Sequence, residues 1–275
     1  MQTSCPNDSE LSSGTAIPVA RAVAALLPGG PFPEARLVQR MPMPMPRWRA
    51  LLELVVMVPV GILLMFLLFQ MLALVTGKAE SGSELAHNII PGISFLVVGL
   101  SILRLAGHHC TTVGWTFRHW LVNIGLGMAA LIPTYLLLFC AGMILVLLSP
   151  ELMEKQAETQ TLIKQVVPDM PFTVLALMMF WVTFWEEFVF RGFLLTRLHA
   201  LFGGWWLAVP VGALIFGVLH LWQGPLTAVV IGLLGLVMGA LFVWRKSLLP
   251  GWAFHFAHNV LIVQLVHSDF FNLPG

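Results

Sequence analysis

Three polar intrusions into apolar sequence hold the residues of this chain that could do chemistry. The first is Trp181-Val-Thr-Phe-Trp-Glu-Glu-Phe-Val-Phe-Arg-Gly192, which sets Glu186, Glu187 and Arg191 inside an otherwise apolar run. An ionisable side chain at the centre of a membrane helix costs about 3 kcal/mol on insertion scales, so it is kept mainly where it faces protein and acts there. On a helix, Glu187 and Arg191 stand at i and i+4 on one face, in the favourable acid-before-base order, and can neutralise each other. Glu186 is turned about 100° from Glu187 and lacks that local partner. An unpaired buried carboxylate is what a general base working near neutral pH requires.

The second intrusion is His220, closing Phe216-Gly-Val-Leu-His220, and the third is His255-Phe-Ala-His-Asn259. His255 and Asn259 project from one helical face, with His258 on the neighbouring side. Taken singly, such residues also fit hydrogen bonding between membrane helices. Together, Glu186, His220, His255 and Asn259 suffice for water-mediated hydrolysis. The carboxylate takes a proton from water, and an imidazole orients that water or protonates the leaving amine. His255 and Asn259 then donate to the oxyanion of a tetrahedral intermediate. No serine or cysteine has a comparable polar setting, which argues against a covalent nucleophile.

These residues need elements to position them, and composition says which. At 58% hydrophobic and 10% charged, with a mean hydropathy of +0.89, the chain is far more apolar than a soluble domain at about 25% charged. We expect an all-α, polytopic transmembrane bundle of about seven spans with the site between the later helices. The spans read as Leu51–Val75, Ile89–Ala106, Leu121–Leu148, Pro171–Leu195, Trp205–Leu221, Leu226–Trp244 and Leu248–Val266, most of them near the 20 residues that cross a bilayer. A net charge of +1 without a basic face excludes a nucleic-acid partner. Cys5, Cys110 and Cys140 lack CxxC or His-pair spacing and indicate neither disulfides nor a thiolate zinc site.

Three regions follow: residues 1–47, a disordered tail rich in Ser, Pro, Gly and Arg; 48–170, N-terminal transmembrane helices and connections; and 171–275, the catalytic helical core. The connection Pro150–Met170 has slight amphipathic character that would suit a short interfacial helix. Alternate connections carry Arg47/Arg49, Arg104/Arg118, Arg191/Arg197 and Arg245/Lys246, so the positive-inside rule places the N-terminus in the cytoplasm of a plasma (inner) membrane protein. At 1.5 Å per residue, Glu186 and His255 fall near mid-membrane but His220 near the outer end. The fifth helix is therefore expected to tilt or to run past Gly224.

Glu186-Glu187-x-x-x-Arg191, Phe216-x-x-x-His220 and His255-x-x-x-Asn259, in this order inside membrane spans, resemble the three motifs of the CAAX-protease and bacteriocin-processing (Abi) family of intramembrane endopeptidases. The resemblance covers about Pro171–Val266. It implies that Glu186 activates water with His220, that Glu187 pairs structurally with Arg191, and that His255 with Asn259 holds the oxyanion. The expected partners are a membrane-associated peptide or protein substrate and the lipid bilayer. No cofactor is favoured, although Glu186, His220 and His255 with a water would also make a catalytic zinc site, and His255-x-x-His258 could supply two ligands. Two other readings stay open: a catalytically idle immunity or peptide-binding protein, and a proton-coupled transporter using the same groups as a relay.

Overall fold

The computed structural model describes residues 45–77, 84–148 and 170–268. The tail before residue 45 and nearly all of the connection Pro150–Met170, with its interfacial helix, lie outside the described residues. Among those described, the chain is helical without strands. The helices are α1 (Arg47–Thr76), α2 (Glu84–Leu105), α3 (Trp120–Leu148), α4 (Phe172–Glu187), α5 (Leu195–Phe202), α6 (Trp205–Val218), α7 (Pro225–Arg245) and α8 (Leu249–His267). A π-helix, Phe188–Leu194, joins α4 to α5 without a break. These three form one rod, so the seven expected spans correspond to seven rods. Five rods are long and apolar enough to cross a membrane: Arg47–Thr76, Ala86–Leu105, Trp120–Ile144, Phe172–Phe202 and Pro225–Arg245. His255, His258, Asn259 and Gln264 make α8 more polar, and α6 is shorter.

Helix is the expected state because a bilayer core offers the backbone no water, so each segment must satisfy its own N–H and C=O groups. Buried hydroxyls follow the same logic: Ser94, Thr134, Thr183 and Thr196 each donate to the carbonyl four residues earlier in their own rod. The lipid-facing side of α1 is lined by exposed Leu51, Val55, Leu63, Phe66 and Met71. Small residues let the rods approach closely. A Cβ at Gly92 of α2 would meet Trp185 at 2.5 Å, and one at Gly99 would meet Phe188 at 2.7 Å. A Cβ at Gly127 of α3 would overlap the Pro250 carbonyl at the start of α8.

Two expectations change. The fourth span does not stop at Leu195 but runs to Phe202, and Arg191 and Arg197 lie inside its rod rather than in a connection. Arg197 is tolerated there because Glu53 of α1 meets it: Nη2 and Nε of Arg197 donate to Oε2 of Glu53 at 2.7 and 3.0 Å, while Arg49 Nε donates to Oε1 at 3.0 Å. The rod ends at Gly203, whose φ of 74° suits a residue without Cβ. The second correction concerns the fifth span, which does not run past Gly224. It stops at Val218, and a separate 3₁₀ turn, Leu221–Gln223, leads into α7.

The helices alternate in direction, and their ends sort the charges. Arg49 Nη2 reaches the Ala106 carbonyl after α2 at 3.3 Å. Arg245, closing α7, donates to Asn123 at the start of α3 at 2.9 Å, and Lys246 lies 4.3 Å from the Trp205 ring that opens α6. Every Lys and Arg among the described residues except Arg191 therefore gathers at one end of the bundle.

Glu53 is 6% exposed and Arg197 2%, and removing one partner of a buried pair costs about 3–5 kcal/mol because the other charge is stranded. Glu53→Ala is accordingly expected to lower the melting temperature of the purified protein markedly. Arg49→Ala, which leaves the Glu53–Arg197 contact in place, is expected to have a much smaller effect in the same thermal scan.

Candidate active site

The site is assembled on α4, the π-helix, the end of α6 and the middle of α8. Glu187 is its most buried ionisable group, at 1% exposure. Its Oε1 accepts from Arg191 Nη1 at 2.8 Å within its own rod, and from His255 Nδ1 at 3.1 Å across to α8. A carboxylate oxygen can only accept here, so His255 carries a proton on Nδ1 and turns Nε2 outward. That Nε2 faces Glu186 Oε2 at 3.6 Å. One histidine thus bridges the two adjacent carboxylates, a contact that helical spacing within a single span does not reveal.

The room for this arrangement comes from Gly251 on α8: a Cβ there would stand 2.6 Å from Glu187 Oε2. The π-helix begins directly after the glutamate pair and contains Arg191. Each π turn holds more residues than an α turn and so changes the phase of everything after it, and such turns recur at functional sites. Across its first turn Arg191 reaches back to Glu187 at the expected spacing. Gly192, on the same turn, lets the segment Cys110–Val113 approach; a Cβ there would lie 2.9 Å from the Val113 carbonyl.

Phe216 is the apolar hub of the site. Its ring packs at 4.7 Å from His220, at 5.8 Å and 89° from His255, and at 4.8 Å from Phe190, while the Arg191 guanidinium carbon sits 4.3 Å from its centroid. It supplies both packing and a cation–π contact in a dry setting. His220 follows the last turn of α6, and its Nδ1 lies 2.7 Å from the Phe216 carbonyl. A carbonyl accepts only, so Nδ1 bears the proton and Nε2 of the neutral ring is left as an acceptor.

Glu186, His220, His255, His258 and Asn259 all line a single cavity of about 570 Å³. Its remaining wall is mostly apolar, built from α3, α4, α7 and α8. The mismatch in depth expected for His220 disappears because α6 has only 14 residues. It rises about 21 Å, well short of the ~30 Å hydrocarbon layer. Its end can therefore sit level with the middle of longer neighbours.

Tyr135 was not foreseen. It donates to or accepts from His258 Nδ1 at 2.7 Å and so ties α3 to α8 beside the cavity. As the only tyrosine of the chain, set in the apolar run of α3, its hydroxyl was a signal that a buried partner awaited it. As to a metal, the Nδ1 atoms of His220, His255 and His258 are each engaged with a protein group, which leaves their Nε2 atoms as the nitrogens a metal would take. Among the described residues no three His, Cys, Asp or Glu side chains converge as a ligand group.

Bundle and site together define a multi-pass helical membrane protein with buried charged residues around an apolar cavity. Residues 168–261, from just before α4 into α8, match the family model described as type II CAAX prenyl endopeptidase, Rce1-like. This is the family that the three motifs resemble, and the matched segment contains all of them. The match supports a CAAX-type membrane protease. Comparison with curated proteins and with solved structures finds no match.

Because Glu187 anchors both Arg191 and His255, Glu187→Gln should lower thermal stability and turnover together. The expected loss of rate is about 10–100-fold, taken by analogy from outer partners that orient histidines in metal sites. Unchanged melting with abolished turnover would instead give Glu187 a direct part in the chemistry.

Proposed function

We propose that the protein is an intramembrane peptidase that hydrolyses a peptide bond with a water activated by Glu186. The observation that supports this most is the relay at the cavity wall, in which Glu187 fixes the His255 ring so that its free nitrogen faces Glu186. In the resting state Glu186 is the base and His220 Nε2 accepts a hydrogen bond from the same water, orienting it toward the scissile carbonyl. Water loses one proton to Glu186 as its oxygen bonds to the carbonyl carbon. The proton can pass on to His255 Nε2, which turns from acceptor into donor as negative charge appears on the carbonyl oxygen. Asn259, one helical turn along, is the second donor to that oxyanion. Collapse of the tetrahedral intermediate breaks the C–N bond, and the departing amine takes up the proton held by the relay. Proton count and charge are then restored.

On this reading residues 171–275 form the catalytic core and 48–170 the helices that brace it, with 1–47 preceding the bundle. The substrate is a membrane-associated peptide or protein. We take the reaction to run without metal, since Glu186, His220 and His255 line the cavity without converging as a three-ligand group among the described residues. Stoichiometric zinc in the purified protein, lost in both His255→Ala and His258→Ala, would overturn that part.

Glu186→Gln keeps the side chain's shape but cannot take water's proton, so turnover should fall by about 10²–10⁴-fold while melting and membrane insertion stay normal. Comparing membrane peptides from cells carrying wild type and this variant should reveal an uncleaved substrate in the variant alone. Retained cleavage by the purified variant would remove Glu186 as base, and unchanged biological activity would favour an idle peptide-binding protein. Asn259→Ala should cost about 10²–10³ in kcat with little change in KM, because its contact forms only as the oxyanion develops.

A further inference from the structure

The cavity and the basic residues occupy opposite ends of the bundle. The cavity takes its wall from the first part of α4 (Met179, Val182), the second half of α3 (Leu138, Gly142), the turn after α6 (Trp222) and the first half of α7 (Leu226). Since the helices alternate in direction, all of these lie toward the end that carries no described Lys or Arg. At the other end the bundle is shut beneath the site. There the Leu248 N–H donates to the Gly114 carbonyl at 2.9 Å, Gly192 lies against Val113, and Gly127 lies against Pro250. Phe216, Met238 and Phe254, each at most 2% exposed, close the cavity floor.

The positive-inside bias follows Lys and Arg in short connections and near span ends, which puts the closed, basic end in the cytoplasm. We propose that the cavity opens to the extracytoplasmic side, so that the substrate is a peptide segment presented there with an uncharged, apolar flank. This rests on the peptidase reading above and adds the side and the chemistry of the substrate. The apolar flank follows from the walls: Val229, Val230, Leu233 and Ile262 offer no partner for a charge, and a charged residue taken to such depth costs about 3 kcal/mol. A lipidated C-terminus held on the cytoplasmic leaflet would meet the sealed end instead.

Sidedness can be measured without knowing the substrate. Cys110 is exposed at the basic end and serves as an internal reference. The full chain carrying C5S and C140S keeps that reference. The chain carrying C5S, C110S and C140S receives Trp222→Cys, at a position 52% exposed on the cavity wall. Leu221→Cys, also 52% exposed, is the alternative should the first variant fail to fold. Sealed right-side-out and inverted vesicles are treated with a membrane-impermeant maleimide. The expected result is at least tenfold faster labelling of the residue 222 or 221 cysteine in right-side-out vesicles, with Cys110 showing the reverse. Faster labelling in inverted vesicles, equal labelling from both sides, or labelling only after solubilisation would overturn the proposal. None of these outcomes bears on whether Glu186 is a catalytic base, which Glu186→Gln turnover decides separately.

Discussion

The structure turns on a single buried carboxylate, Glu187, whose Oε1 is matched from two rods while its buried Oε2 has no hydrogen-bond partner. Dry surroundings make an uncompensated charge cost several kcal/mol, so the partners of such a group are the most constrained residues around it. Arg191 comes from the same rod and His255 from α8. Matching Oε1 of Glu187 therefore fixes the spacing between two rods as well as one side chain. Gly251 and the π-helix are the backbone devices that make the fit possible, one by leaving out a Cβ and the other by widening a turn. The orientation of the neighbouring Glu186 toward His255 then follows from the backbone that Glu187 has already anchored.

The rod Phe172–Phe202 carries two charged clusters with different consequences. Near its C-terminal end, Arg197 and Glu53 face each other with Arg49 completing the set, away from the cavity, and the product is a tie between α1 and the later helices. Near its middle, the Glu187 cluster has the same chemistry of mutual neutralisation, but it borders an open cavity and leaves an additional carboxylate beside a histidine. The additional carboxylate is the difference between the two clusters, and on the proposed reading it is the base. A closed set of charges can only hold helices together; a set with one acid more than its local partners can move a proton.

Much of this was legible in the sequence. The seven rods follow from apolar length, and the pairing of Glu187 with Arg191 from i, i+4 geometry, because both depend on local periodicity alone. The gathering of Glu186, His220, His255 and Asn259 around one cavity was inferred from residue types no apolar span keeps without a use. Less was visible where two distant segments decide the outcome. Arg197 read as the mark of a helix end, since its neutralising partner Glu53 lies on another rod and nothing local announces it. His255 read as an oxyanion donor paired with Asn259, because its contact with two glutamates exists only once α8 packs against α4. The π-helix left no trace in residue type; it is a compromise between neighbouring helices rather than a preference of Phe188–Leu194.

The shortness of α6 sets the depth of His220, which span boundaries alone do not give. A helix of full bilayer length would carry a C-terminal histidine to the interface, where water is plentiful and a single hydrogen bond adds little. By ending α6 at Val218 and continuing through a 3₁₀ turn, the chain places His220 against Phe216 inside the protein, with Nδ1 capping a carbonyl that the ending helix leaves free. The same bond that completes the helix end also sets the tautomer of the ring. Backbone irregularity at membrane depth is tolerated only where it is covered by protein or lines a cavity, and here it does the latter. Helix termination and orientation of a functional side chain are thus one structural event, and lengthening α6 would undo both.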